Sequence, residues 1–143
     1  MQNIFKLCYL YKIDKMRTLK AILLGVLLWI LIFVEISVFV IGLKLTGIVQ
    51  YIIHYIFLIV FTIICTAIYY KSRDKINGFV LGIFWLLVGN ILDLIITIPG
   101  FTAKQYSTLS AAYSGFYSNT WLWAGFLVVV VVTGIYDMTR KKR

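Results

Sequence analysis

The sequence predicts an all-α membrane protein: four transmembrane helices in an antiparallel bundle, preceded by a basic N-terminal lead-in. Composition is the first reason, because 62% of the 143 residues are hydrophobic, only 13% are charged, and the mean hydropathy is +0.97. A soluble domain is about half apolar and about a quarter charged. The second reason is segmentation into four apolar runs, each long enough to cross a bilayer. Placement of charge is the third. Twelve of the 14 Lys and Arg residues flank these runs at alternate connections, as expected for loops held on one side of a membrane.

The lead-in, residues 1–20, carries Lys6, Lys12, Lys15, Arg17 and Lys20 among Ile4, Phe5, Leu7, Leu10 and Tyr11. The apolar run that follows is too long for the core of a cleaved signal peptide, and no small-residue cleavage site is apparent. This segment reads as a partly amphipathic stretch on the inner membrane surface. The first membrane helix spans about 21–43, with Trp29 near its middle and Glu35 as its only ionisable side chain. The second, about 48–70, contains Gln50, His54, Thr62, Cys65 and Thr66. Their short connection makes them antiparallel neighbours.

After the basic loop Lys71 to Lys75 comes the third helix, about 76–98, within GFVLGIFWLLVGNILDLIITIP. Gly78, Gly82 and Gly89 mark a packing seam on it, which places this helix at the centre of the bundle and also suits contact with a second copy. Asn90, Asp93 and Thr97 form a polar stripe at helical spacing. A connection of residues 99–119, rich in Ser, Tyr and Ala, then leads to the fourth helix at about 120–137. Tyr106, Tyr113, Phe116 and Tyr117 in this connection suit a short interfacial helix, either an aromatic anchor or a cover over the polar groups. The basic tail 138–143 closes the chain.

Counting Lys and Arg by connection orients the bundle. Five precede the first helix, three lie between the second and third and four follow the fourth, against Lys44 and Lys104 alone in the other two connections. A multi-pass protein of the cell membrane with both termini cytoplasmic is the expectation. In this orientation Glu35, His54 and Asp93 fall at similar depth in the outer half of three helices. Ionisable groups at such depth cost about 2.5 to 3.5 kcal/mol each on insertion scales and usually face the bundle interior in pairs.

Three readings of that coincidence stay open. The groups form a structural hydrogen-bond network; they form a proton-coupled or cation-binding site, supported by Asn90, Thr97 and Gln50; or His54 and the two carboxylates hold a metal such as Zn or Mn, for which no local ligand spacing speaks. Enzyme chemistry is not expected. There is a single His and no recognisable nucleophile motif, Cys8 and Cys65 form no CxxC pair, and no glycine-rich phosphate loop occurs. No cofactor and no nucleic-acid partner are expected; the bilayer, a second copy or another membrane protein are.

The segment WILIFVEISVFVIGLKLTG resembles the first helix of the small multidrug resistance transporters, four-helix chains with one membrane Glu followed about two turns later by a Lys. That resemblance implies a Glu binding proton and cationic drug in turn, at the position of Glu35. As a whole, the chain looks like one of the small four-helix membrane proteins of prokaryotes, which implies no activity. Two functions therefore compete: a transporter-like protein with a polar site in its outer half, and a structural or accessory subunit of a larger membrane complex.

Overall fold

A computed structural model describes residues 2–71 and 76–142, with the backbone alone for residues 2–16 and 41; Ser72, Arg73, Asp74 and Lys75 of the basic loop, Arg143, and the lead-in side chains up to Met16 lie outside that description. Four helices among the described residues are long and apolar enough to cross a membrane: Arg17–Val40, Gly47–Tyr70, Gly78–Gly100 and Thr120–Lys141. In their most apolar stretches only 17–28% of residues are buried inside the protein, so the remaining apolar surface faces outward, where lipid chains solvate it. This is an integral membrane protein built as an antiparallel four-helix bundle.

Helix α1 (Gln2–Ile36) runs without a break through the lead-in, then continues as a π-helical segment, Ser37–Gly42. The lead-in therefore extends the first helix rather than forming a separate surface element. Lys44 and Gly47, with φ of 52° and 71°, reverse the chain into α2 (Gly47–Tyr70). Helix α3 (Gly78–Leu92) opens on Asn77, whose side chain accepts from the Phe79 N–H at 2.9 Å, a conventional N-cap.

A π-helical segment, Asp93–Thr97, and a last turn, Ile98–Gly100, prolong α3 through Pro99. There the Ile98 N–H reaches back to the Asp93 carbonyl, and Pro99 has no N–H to offer the next one. The carbonyl left over, that of Leu94, accepts from Tyr113 Oη at 3.0 Å. Tyr113 belongs to α4 (Leu109–Tyr117), the short helix of the long connection, which is capped by Thr108. Helix α5 (Thr120–Lys141), capped by Asn119, runs a turn further than the sequence suggests and takes Arg140 and Lys141 into its last turn.

Hydrogen bonds fix the register. Trp85 Nε1 donates to the Ala21 carbonyl and Trp29 Nε1 to Asp93 Oδ1, both at 2.9 Å, so α1 and α3 run parallel. Tyr55 Oη donates to the Trp121 carbonyl at 2.8 Å and Tyr70 stacks on Tyr136, so α2 and α5 also run parallel. Lys20 Nζ donates to the Ile68 and Tyr69 carbonyls, which sets α1 and α2 antiparallel.

The main contacts form a closed ring, α1 to α2 to α5 to α3 and back to α1. The expectation that α3 is central is thereby corrected. Its seam serves one neighbour, α5: a Cβ on Gly78 would strike the Thr133 carbonyl, and one on Gly82 would lie 2.8 Å from Val130 Cα. Gly89 does not belong to the seam, because a Cβ there would meet nothing within 4 Å. The core, with Leu28, Leu58, Leu81, Trp85 and Val129, fills the middle of the ring.

Candidate functional site

Above this core, toward the end of the bundle where the long connection lies, the helices separate around a cavity of about 400 Å³. All four spanning helices contribute to its wall. Glu35, His54, Asp93, Thr97 and Gln50 line it, together with the aromatic rings of Trp29, Tyr51, Trp85 and Trp121.

The polar groups enter the cavity as two separate units. Glu35 Oε2 and His54 Nδ1 lie 2.8 Å apart across the α1–α2 contact, with the carboxylate side chain 5% exposed and the imidazole 21%. Asp93 is held on the other side, where Trp29 Nε1 at 2.9 Å and Thr97 Oγ1 at 2.6 Å both donate to Oδ1, leaving Oδ2 out of these bonds. The two units thus present one acid from α1 and one from α3 to a shared space. Among the described residues, no group of three His, Cys, Asp or Glu side chains is gathered as metal ligands.

Both acids sit where helical geometry changes. Glu35 comes two residues before the π-helical turn Ser37–Gly42, and Asp93 begins the second, Asp93–Thr97. Single π turns inside α-helices recur at functional sites, because the widened turn re-aims side chains and frees carbonyl groups.

Asn90 does not join the wall of the cavity. Its Nδ2 donates to the Leu86 carbonyl at 2.9 Å, and its Oδ1 accepts from Tyr117 Oη at 3.3 Å, so it tethers α4 instead. Burial pushes the Tyr117 phenol up from its ordinary value, with Asp93 and Tyr113 adding to the effect. The hydroxyl therefore stays a proton donor. Trp123 Nε1 donates to the Tyr117 carbonyl at 2.8 Å, and Phe101 packs edge-on against Phe33, 4.9 Å between centroids. Phe101, Thr102, Gln105 and Phe116 bring the long connection to the rim of the cavity. Its aromatic residues thus both anchor a short helix and border the polar groups.

Three features escape a reading of the sequence alone. Trp29 is the partner of Asp93, and the signal for it was an indole N–H placed deep in an apolar helix, where it needs an acceptor. Gly89 opens into the cavity. At the opposite end, Asp137, 2% exposed, accepts from the Gly78 N–H at 3.2 Å and pairs with Arg140 at 2.9 Å and Lys141 at 2.7 Å. The i, i+3 and i, i+4 spacing of those charges was visible; the docking of α3 on the carboxylate was not.

No family model, curated protein or solved structure matches this chain.

Proposed function

We propose that this protein is a small multi-pass transporter of the cell membrane, with both termini cytoplasmic, that binds a cationic substrate in the cavity and exchanges it for protons at Glu35 and Asp93. One observation carries the reading: two acids from adjacent helices face one cavity of about 400 Å³ that all four spanning helices line. Carboxylates kept away from bulk water favour either a proton or a cation as counter-charge. Aromatic walls add attraction for an organic cation through their π faces. His54 holds the Glu35 carboxylate in position, and Trp29 with Thr97 does the same for Asp93. The resemblance of the first helix to the small multidrug resistance transporters supports the same role for Glu35.

The bonds each acid already makes favour a second reading, a structural or accessory subunit whose polar pairs only hold helix register. Uptake separates the two. Tetraphenylphosphonium uptake into proteoliposomes under an imposed pH gradient is expected for the unmodified protein and is expected to be lost in Glu35→Gln and in Asp93→Asn. A deletion strain complemented with the same variants tests the role in cells. Uptake and growth at the unmodified level in both variants would sink the coupled-site reading and leave the accessory one.

A further inference from the structure

Gly89 has no packing reason to be glycine. Gly78 and Gly82 each stand where a methyl group would strike the backbone of α5, whereas a Cβ on Gly89 would meet nothing within 4 Å. A glycine inside a helix is unfavourable relative to alanine, so the empty space has to serve something other than helix contact. That space is the cavity, which Gly89 lines.

Its neighbours on the same helix face define what the space is for. Asp93 lies one turn toward the mouth and Trp85 one turn deeper, so the three form a single stripe. Trp85, 2% exposed, is the floor, and it is fixed against α1. Its Nε1 donates to the Ala21 carbonyl at 2.9 Å, while Gly25 of α1 makes room for it, a Cβ there coming within 2.9 Å of Trp85 Cδ1. From Asp93 down to Trp85 the stripe measures about 12 Å along the helix axis. Of the two other glycines in the wall, Gly25 already abuts Trp85 and a Cβ on Gly125 would rest 3.6 Å from Leu58, so the unfilled width is on the α3 side.

We infer that Gly89 sets the size and shape limit of the ligand: a cation whose charged head stands at the level of Asp93 and Glu35 and whose apolar body lies along Gly89 toward Trp85. This rests on the cation-binding reading above and adds to it the class of molecule, an amphiphilic cation with a slender apolar body. A side chain at position 89 fills the channel midway between head and floor, shortening the ligand that fits without touching the carboxylates.

Alkyltrimethylammonium ions of increasing chain length, below their micellar concentrations, serve as a ruler. Saturable binding is measured on the full-length protein in phosphatidylcholine nanodiscs, with empty nanodiscs subtracted. For the unmodified protein, affinity rises by up to about fourfold per methylene until the chain spans the depth to Trp85. Gly89→Leu is expected to end that rise about one helical turn early, weakening the longest chains about tenfold or more while leaving tetramethylammonium within about twofold, with Gly89→Ala in between. Equal weakening at every length, or none at any length, overturns the role of Gly89 and leaves the cation site standing. Failure of every length to bind the unmodified protein overturns both. Gly89→Leu must also fold, as judged by retained helical content and a monodisperse elution profile; loss of the fold contradicts the open space and overturns the inference, and Gly82→Leu shows what failure of a packing glycine looks like.

Discussion

Asp93, Glu35 and Asp137 are three acids in apolar helices, and each is compensated differently. Asp93 takes two neutral donors on one oxygen, Glu35 faces an imidazole, and Asp137 is enclosed by two cations and a backbone N–H. Only the last is fully paired by charge, which marks it as structural. A buried carboxylate that loses its charge leaves its partners unmatched. Asp137→Asn is therefore expected to lower stability by about 1 to 3 kcal/mol, read as a lower thermal midpoint in detergent, with substrate binding at the far cavity unchanged. A midpoint equal to that of the unmodified protein would show that Gly78 and the basic turn are held by something else. Glu35, His54 and Asp93 were legible as exceptional residues because ionisable groups in lipid are costly. Their pairing was not, since Trp29, the partner of Asp93, is at home in any membrane helix.

Helix α3 carries the clearest contrast at the scale of an element. Gly82 and Gly89 are seven residues apart and read alike in sequence, as parts of one small-residue face. In the fold Gly82 touches the α5 backbone and Gly89 faces open space. Gly82→Ala places a methyl group 2.8 Å from Val130 Cα, so two backbones must move apart. Overpacking of this kind typically costs about 1 to 3 kcal/mol. Thermal denaturation of the paired variants is expected to show Gly82→Ala destabilised and Gly89→Ala unchanged or raised, since alanine favours the helix. The reverse order would contradict the seam. The same helix shows how a local irregularity is used: its π-helical turn and Pro99 free the Leu94 carbonyl, and Tyr113 of α4 takes it up. Pro99 was legible as a helix end, but nothing local announced the wider π-helical turn before it or the further helical turn that carries the chain past it.

For the whole molecule, the ring order α1, α2, α5, α3 sets α1 parallel to α3 and α2 parallel to α5. Helices α2 and α3, consecutive in the chain, thus stand diagonally opposite one another, while α1 and α2 are neighbours. Each end has its own chemistry. One gathers Lys20, Asp137, Arg140 and Lys141; the other holds the cavity and α4. The proposed orientation puts the first end in the cytoplasm, following the concentration of Lys and Arg there. Alkaline phosphatase fused after Lys141 is expected to be inactive and fluorescent-protein fusions at both termini to fluoresce, while a phosphatase inserted at Ser107, in the long connection, is expected to be active. The opposite pattern would place the cavity on the cytoplasmic side and remove the outward-facing site.

The sequence by itself determined the class of protein, its four spans and the division of charge between its ends. These are sums over many residues, in which hydropathy sets what enters the bilayer and basic residues set which connections stay behind. Only the tertiary structure decided which face of each helix turns inward. Lipid chains are as apolar as a bundle core, so a uniformly apolar helix carries little information about its own rotation. Rotation decides whether Gly89 is a contact or a gap, whether Asn90 faces the cavity or Tyr117, and whether Asp93 stands alone or against Trp29. It was settled by close contact of side chains between α1, α2, α3 and α5, and the cavity is the space which that packing leaves unfilled.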